Sequence, residues 1–224
     1  SQQSPTSTRT LRPRFRTGIS PELERLRDWN FDKALSGDII VEQNIHALDA
    51  GCWFLDAQPL KAFGTGGRKV RVDVGDCWDH FVVTYWFPND VKVDFSSTQC
   101  IGGYNDLCAR VYGSKGTADM HYYGSATITG ANPWQGPDKI DAARQGTIDN
   151  VRMFVESIKT AKLLNNAADT VRSNLTAILG RTAAYRNAIV TWDEMIRSNE
   201  KLDPRLPTLA GCALPAASRS YSRL

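Results

Sequence analysis

The chain has 224 residues, of which 42% are hydrophobic and 23% charged, values that exclude a wholly disordered chain and allow one or two domains with a sizeable core. Twenty-seven lysines and arginines against 24 acidic residues leave a formal charge of +3, too small to point to nucleic acid as a partner. No apolar run approaches the ~18 residues of a membrane span, and no signal-peptide pattern opens the chain, so no membrane partner is expected.

Residues 1–18 are polar and basic, with Arg9, Arg12, Arg14 and Arg16, and are expected to form a flexible arm or linker. Ser20-Pro21-Glu22 predicts a helix start, because Ser caps free amides, Pro suits the first turn and Glu the positive end. A second helix is expected from about Ile40 to Leu55, with Ile45, Leu48, Cys52 and Phe54/Leu55 at helical spacing. Strands follow over Leu60 to Val74, Phe81 to Phe87 and Val91 to Phe95, with a turn at Pro88-Asn89-Asp90. Cys108 to Tyr112 and Thr117 to Tyr123 flank Gly113-Ser114-Lys115-Gly116 as a hairpin, and Ala126 to Gly130 supplies a further strand.

Two helices come next, one with the apolar stripe Ile148, Val151, Phe154, Val155 and Ile158, the other with Val171, Leu175, Ile178 and Leu179. Ile189 to Trp192 reads as a short strand, and 204–224 as an extended or disordered tail. The order predicts one α+β domain over 19–203: a predominantly antiparallel open sheet with helices packed on one face. The open face of such a sheet suits a homo-oligomer contact.

The five cysteines, Cys52, Cys77, Cys100, Cys108 and Cys212, are odd in number and contain no C-x-x-C pair, which argues against a disulfide framework or a zinc ribbon. Cys77 and His80 have ligand-like spacing, but no second pair follows. Buried free thiols and no metal site are therefore expected.

The most chemically loaded stretch is Glu42 to Asp49. On a continuous helix Glu42, His46 and Asp49 share a face, and a carboxylate beside an imidazole is what a proton shuttle near neutral pH requires. Asn44 lies well off that face, near the helix edge. Asn132-Pro133-Trp134-Gln135 is expected in a loop, where an indole beside amides is suited to hold a sugar ring, with burial of Trp134 as a loop anchor the equal alternative. Gly64-Thr65-Gly66-Gly67-Arg68 fits neither phosphate-loop frame, and its glycines read as close packing or a bulge. No G-x-S-x-G elbow supports a hydrolase triad.

These residues carry a family resemblance. Ser36-Gly37-Asp38 followed by VEQNIHALDAGCWFL, then PLKAFGTGGRKVR, DHFVVTYWFPNDVKV, VYGSKGTADMH, NPWQ and LTAILGRTAAYRNAIVTWDEM occur in the order seen in the C-terminal domain of the glucose-fructose oxidoreductase/inositol dehydrogenase (Gfo/Idh/MocA) family, which residues 20 to 200 resemble. In that family a helix carries D-x-x-x-H, with the His exchanging a proton at the oxidised carbon. The resemblance implies His46 as acid/base and Glu42, one methylene longer than the family's Asp, as its partner. Asn44, Asp49 and Trp134 are then expected substrate contacts.

The family's dinucleotide-binding Rossmann domain, with G-x-G-x-x-G and a Glu-Lys-Pro motif, has no counterpart in the 224 residues. The expectation is a substrate domain of an NAD(P)-dependent sugar or polyol oxidoreductase. NAD or NADP would act in the complete enzyme, none is expected to bind this chain alone, and the Rossmann domain would be supplied in cis or in trans. Two alternatives are a non-catalytic, self-associating or carbohydrate-binding domain, and part of an NAD-assisted glycosidase or eliminase. Free thiols fit a cytoplasmic protein, whereas relatives are often exported to the periplasm, so the compartment stays open between the two.

Overall fold

The computed structural model describes residues 20–100, 106–122, 124–136 and 142–206. The arm expected over 1–18, and the expected tail beyond Leu206, lie outside the described residues. Among the described residues no helix is long and apolar enough to cross a membrane.

Helix α1 (Pro21–Arg27) begins as its Ser-Pro-Glu start predicts, with Ser20 Oγ accepting from the Leu23 amide at 3.3 Å. A 3-10 turn (Trp29–Phe31) and helix α2 (Lys33–Ser36) lead to α3 (Ile39–Glu42) and α4 (Ile45–Leu55). Four strands form the first sheet: β1 (Lys61–Gly67), β2 (His80–Trp86), β3 (Lys92–Thr98) and, from the far end of the chain, β8 (Val190–Thr191). Their order is β3-β2-β1-β8, every pair antiparallel. The second sheet, β4 (Cys108–Gly113), β5 (Gly116–His121), β6 (Ala126–Gly130) and β7 (Trp134–Gln135), is an antiparallel meander in sequence order. Helices α5 (Ala142–Lys159), α6 (Ala167–Arg186) and α7 (Trp192–Ser198) complete the chain, an α+β architecture.

The core lies between the first sheet and α6. The alternation in β2 turns Phe81, Val83 and Tyr85 inward, all almost fully buried, toward Ala177, Leu179, Ala183 and Ala184 on α6. Val82 on the opposite face is exposed. The helix comes so close to the sheet because small residues line the seam. A Cβ on Gly64 would lie 3.1 Å from the Ala184 Cβ, and one on Gly180 only 1.9 Å from the Tyr85 hydroxyl. Asx residues in the left-handed region end three helices, Asp56 after α4, Asn187 after α6 and Asn199 after α7.

Two strand predictions change. The strand expected over Leu60 to Val74 stops at Gly67, because the next amides turn away to a buried carboxylate, described below. Trp134-Gln135, expected in a loop, pairs with Ile128 and Thr127 of β6 as an edge strand.

Candidate functional site

The stretch expected as one helix over Ile40 to Leu55 is broken at Gln43-Asn44. The Asn44 amide donates to Ile39 O, five residues back, at 2.8 Å, and so admits an extra residue in the π-bulge manner. Glu42 closes α3, Asn44 sits in the break and His46 is the second residue of α4. Glu42 and Asn44 are half-buried and His46 is exposed.

The bulge changes the angle that a continuous helix would set between Glu42 and His46, and the two are not hydrogen-bonded. Among the described residues neither side chain is paired with another protein group. The Asn44 Oδ1 atom is buried and accepts no hydrogen bond from them either. Three polar side chains at or beside one helix discontinuity therefore have bonding capacity unspent.

Asp49, expected on the same face, points to a different task. Its Oδ1 accepts from Ser173 Oγ at 2.6 Å, and one turn further on Cys52 Sγ donates to Thr176 Oγ1 at 3.4 Å, so the α4–α6 seam is stitched twice. Trp134 is 52% exposed on β7, the strand farthest across the second sheet from β4, which is the strand nearest α4. The aromatic residue that the motif search missed is Trp53. It is seven residues after His46, hence two turns along the same helix face, and 73% exposed. That i, i+7 spacing is readable in the sequence.

Behind the break lie two buried carboxylates that the sequence reading did not single out. Asp38, fully buried, has φ 79° and ψ 165°, a conformation that glycine alone adopts at ease. Its Oδ1 accepts from the Ile39 amide at 2.7 Å and the Trp78 amide at 3.2 Å, and its Oδ2 from the Tyr185 hydroxyl at 2.7 Å. Burial pushes its carboxyl above the ordinary range, while the Tyr185, Ile39 and Trp78 donors act to lower it. Arg181, one turn before Tyr185 on α6, donates to Gly37 O at 3.0 Å, so α6 grips the corner from which α3 springs.

Asp79, also fully buried, draws three successive amides, those of Lys69, Val70 and Arg71, onto its Oδ2 at 2.6–3.0 Å. Its Oδ1 lies 2.7 Å from His80 Nδ1. Burial pushes the Asp79 carboxyl up, but the hydrogen bonds from His80 and from the Arg71, Val70 and Lys69 amides outweigh it and hold the group well below the usual carboxylate range. Asp79 thus fills the one converging row of amides that follows the Gly64 to Arg68 run. Cys77 and His80, whose spacing looked ligand-like, go separate ways: Cys77 Sγ lies 3.5 Å from Ser36 Oγ and His80 faces Asp79. Burial pushes the Cys77 thiol up to about 12, which makes it inert.

No dinucleotide cradle exists among the described residues. Every strand pair is antiparallel, and no strand runs through a Gly-rich turn into a helix.

Comparison with known proteins identifies the family of this fold. The family model for the GFO/IDH/MocA C-terminal domain matches residues 8–119. No curated protein matches the chain. Among solved structures, the aldose-aldose oxidoreductase from Caulobacter crescentus complexed with glycerol has 18% identity and a TM-score of 0.58 over 77% of this chain and 52% of its own. The myo-inositol 2-dehydrogenase from Lactobacillus plantarum has 19% identity and a TM-score of 0.57, over 75% of this chain and 52% of that one. An oxidoreductase from Agrobacterium radiobacter, in complex with NAD+, L-tartaric acid and magnesium, has 12% identity and a TM-score of 0.60, over 80% and 55%. At such identities the likeness is one of fold, and the chain spans about half the length of these structures.

Proposed function

Since the chain belongs to the GFO/IDH/MocA C-terminal domain family, we propose that it is the substrate-binding, proton-transferring part of an NAD(P)-dependent sugar or polyol oxidoreductase. The observation that carries this reading is the trio at the helix break: Glu42, Asn44 and His46 are unpaired among the described residues, and the Asn44 oxygen is buried besides. A sugar hydroxyl would donate to Asn44 Oδ1, and His46 would take the proton from the hydroxyl of the carbon being oxidised. Glu42 would orient the imidazole once substrate draws the two together, as catalytic hydrogen bonds often tighten only in the complex. Similar structures include an inositol dehydrogenase and an aldose oxidoreductase, which supports a polyhydroxylated substrate.

The described residues do not fit a nicotinamide cofactor, so NAD or NADP would be held by a Rossmann domain joined to this chain or assembled with it, where it would accept the hydride. Asp49, already bonded to Ser173, enters this proposal as a substrate contact only through its second oxygen. Trp134 enters as a sugar platform distant from the proton transfer.

The test is NAD(P)+ reduction with a panel of aldoses and polyols by the chain assembled with its Rossmann domain. His46→Ala is expected to lower kcat by about 10²–10⁴-fold with an unchanged circular dichroism spectrum. Full activity in that variant overturns the assignment. Release of a sugar fragment without net NAD(P)H would identify the glycosidase or eliminase chemistry instead.

A second reading, self-association through the open sheet, is favoured by one row of side chains. Val111, Ala118, Ile128 and Trp134 are register partners across all four strands of the second sheet, and three of them are exposed. Light scattering of Ile128→Lys against the parent chain tests it, with an unchanged oligomer mass counting against this face.

A further inference from the structure

We propose that the hairpin of β4 and β5 carries a zinc site formed by Asp106, Cys108 and His121. This site is separate from the helix break and independent of the oxidoreductase reading.

Cys108 and His121 are direct register partners. The adjoining pair is hydrogen-bonded, with the Tyr122 amide donating to Leu107 O at 2.8 Å. By the alternation of an antiparallel ladder, Cys108 and His121 form the non-bonded pair, in which facing side chains approach closest. Asp106 is two residues before Cys108 and so falls on the same face. One carboxylate oxygen, the thiol sulfur and one imidazole nitrogen all lie within 4.8 Å of one another. A four-coordinate zinc would draw them to roughly 3.4–3.8 Å apart, a closure that side-chain rotations on a half-exposed hairpin can supply.

The surroundings match the needs of such a site. His121 Nδ1 lies 2.7 Å from Asp106 Oδ1, and its other nitrogen, Nε2, lies 3.2 Å from Asp119 Oδ1. If the metal takes the place of the proton shared by Nδ1 and Asp106, Nε2–H remains to donate to Asp119, the carboxylate–histidine–metal arrangement that fixes the ring. Arg110 is the cation that the ion pairs place here among the described residues. Its Nη2 is 3.9 Å from Asp106 Oδ2, but its Nε is committed to Asp119 at 2.8 Å. Asp119 and Arg110 then cancel, and a divalent ion is balanced by the Asp106 carboxylate and the Cys108 thiolate. Thiolate with imidazole and carboxylate is a borderline-soft set that suits Zn2+ over Mg2+ or Ca2+. Three protein ligands leave a fourth position for water. The strand register brings together Cys108 and His121, residues too far apart in sequence for any local ligand spacing.

The experiment is titration of the full chain with Co2+ as an optical stand-in for zinc. One equivalent is expected to produce a thiolate-to-cobalt charge-transfer band with four-coordinate d–d bands, and Zn2+ should displace it. Cys108→Ser should abolish the charge-transfer band, and His121→Gln or Asp106→Asn should weaken Co2+ binding at least tenfold. A Cys100→Ser/Cys212→Ser double variant should keep the band. No charge-transfer band at one equivalent, or a band that survives Cys108→Ser, overturns the proposal. Should the ligand variants fail to fold, X-ray absorption of the parent chain with one equivalent of zinc decides. One sulfur at about 2.3 Å with nitrogen and oxygen at about 2.0–2.1 Å supports the site, and a shell without sulfur sinks it.

Discussion

The Tyr185 hydroxyl donates to Asp38 Oδ2 at 2.7 Å, tying the C-terminal half of α6 to the residue that launches α3. The Tyr185 ring stacks on Trp78 at 4.0 Å, and Trp78 lends its own amide to the same carboxylate. Asp38 holds a backbone conformation that costs of order 1–3 kcal/mol for any residue with a side chain. The converging donors offset that strain, and the corner they hold sets where Glu42, Asn44 and His46 stand.

Tyr185→Phe should keep the stack and remove one donor from a buried carboxylate. The expected loss is about 1.5–3 kcal/mol, read from the urea midpoint. A change within experimental error would mean that water replaces the hydroxyl.

Gly180→Ala should be strongly destabilising, by several kcal/mol, because its methyl would collide with the Tyr85 hydroxyl inside the core. That hydroxyl is buried without a hydrogen-bond partner among the described residues. Tyr85→Phe alone should therefore be neutral or slightly stabilising and should rescue part of the Gly180→Ala loss. A double-mutant thermal-melt cycle measures the coupling, and strict additivity would contradict the contact.

Asp79 predicts an acid limb of stability. Its folded carboxyl titrates below the unfolded one, whose ordinary value is about 3.9, so its contribution is fully present above about pH 5. The contribution is lost as pH falls from there through the folded value. Asp79→Asn should cost about 2 kcal/mol at neutral pH and flatten this limb. Denaturation midpoints between pH 2 and 7 for both proteins are the check.

Asp49 and Ser173 should behave as one structural unit. Each alanine variant is expected to lose about 1 kcal/mol, and the double variant little more than either. A substrate role for Asp49 would show separately, as a raised KM in Asp49→Asn that Ser173→Ala does not share.

Much of this architecture is legible in the sequence where the signal is local. The alternation of Phe81, Val83 and Tyr85, the Pro88-Asn89-Asp90 turn and the hairpin around Ser114-Lys115 need only neighbouring residues to be read. The break at Asn44 is not legible, because it rests on one amide choosing a carbonyl five residues back. The Trp134 strand is too short to alternate. Asp38 and Asp79 look like ordinary surface carboxylates until donors from residues 69–71, 78 and 185 close around them. Glu42 and His46 are legible as a motif, but their unpaired geometry is not.

The pairing of β1 with β8 has a kinetic consequence. β1, β2 and β3 form a meander of neighbours, able to zip as soon as its turns close. Lys61 and Thr191 meet only after the whole intervening chain has been laid down and α6 has docked. The entropy of closing so large a loop falls on a two-residue strand, so β8 and α7 should join late in folding. In hydrogen exchange the amides of β2 should then be the last to open, and those of β8 among the first.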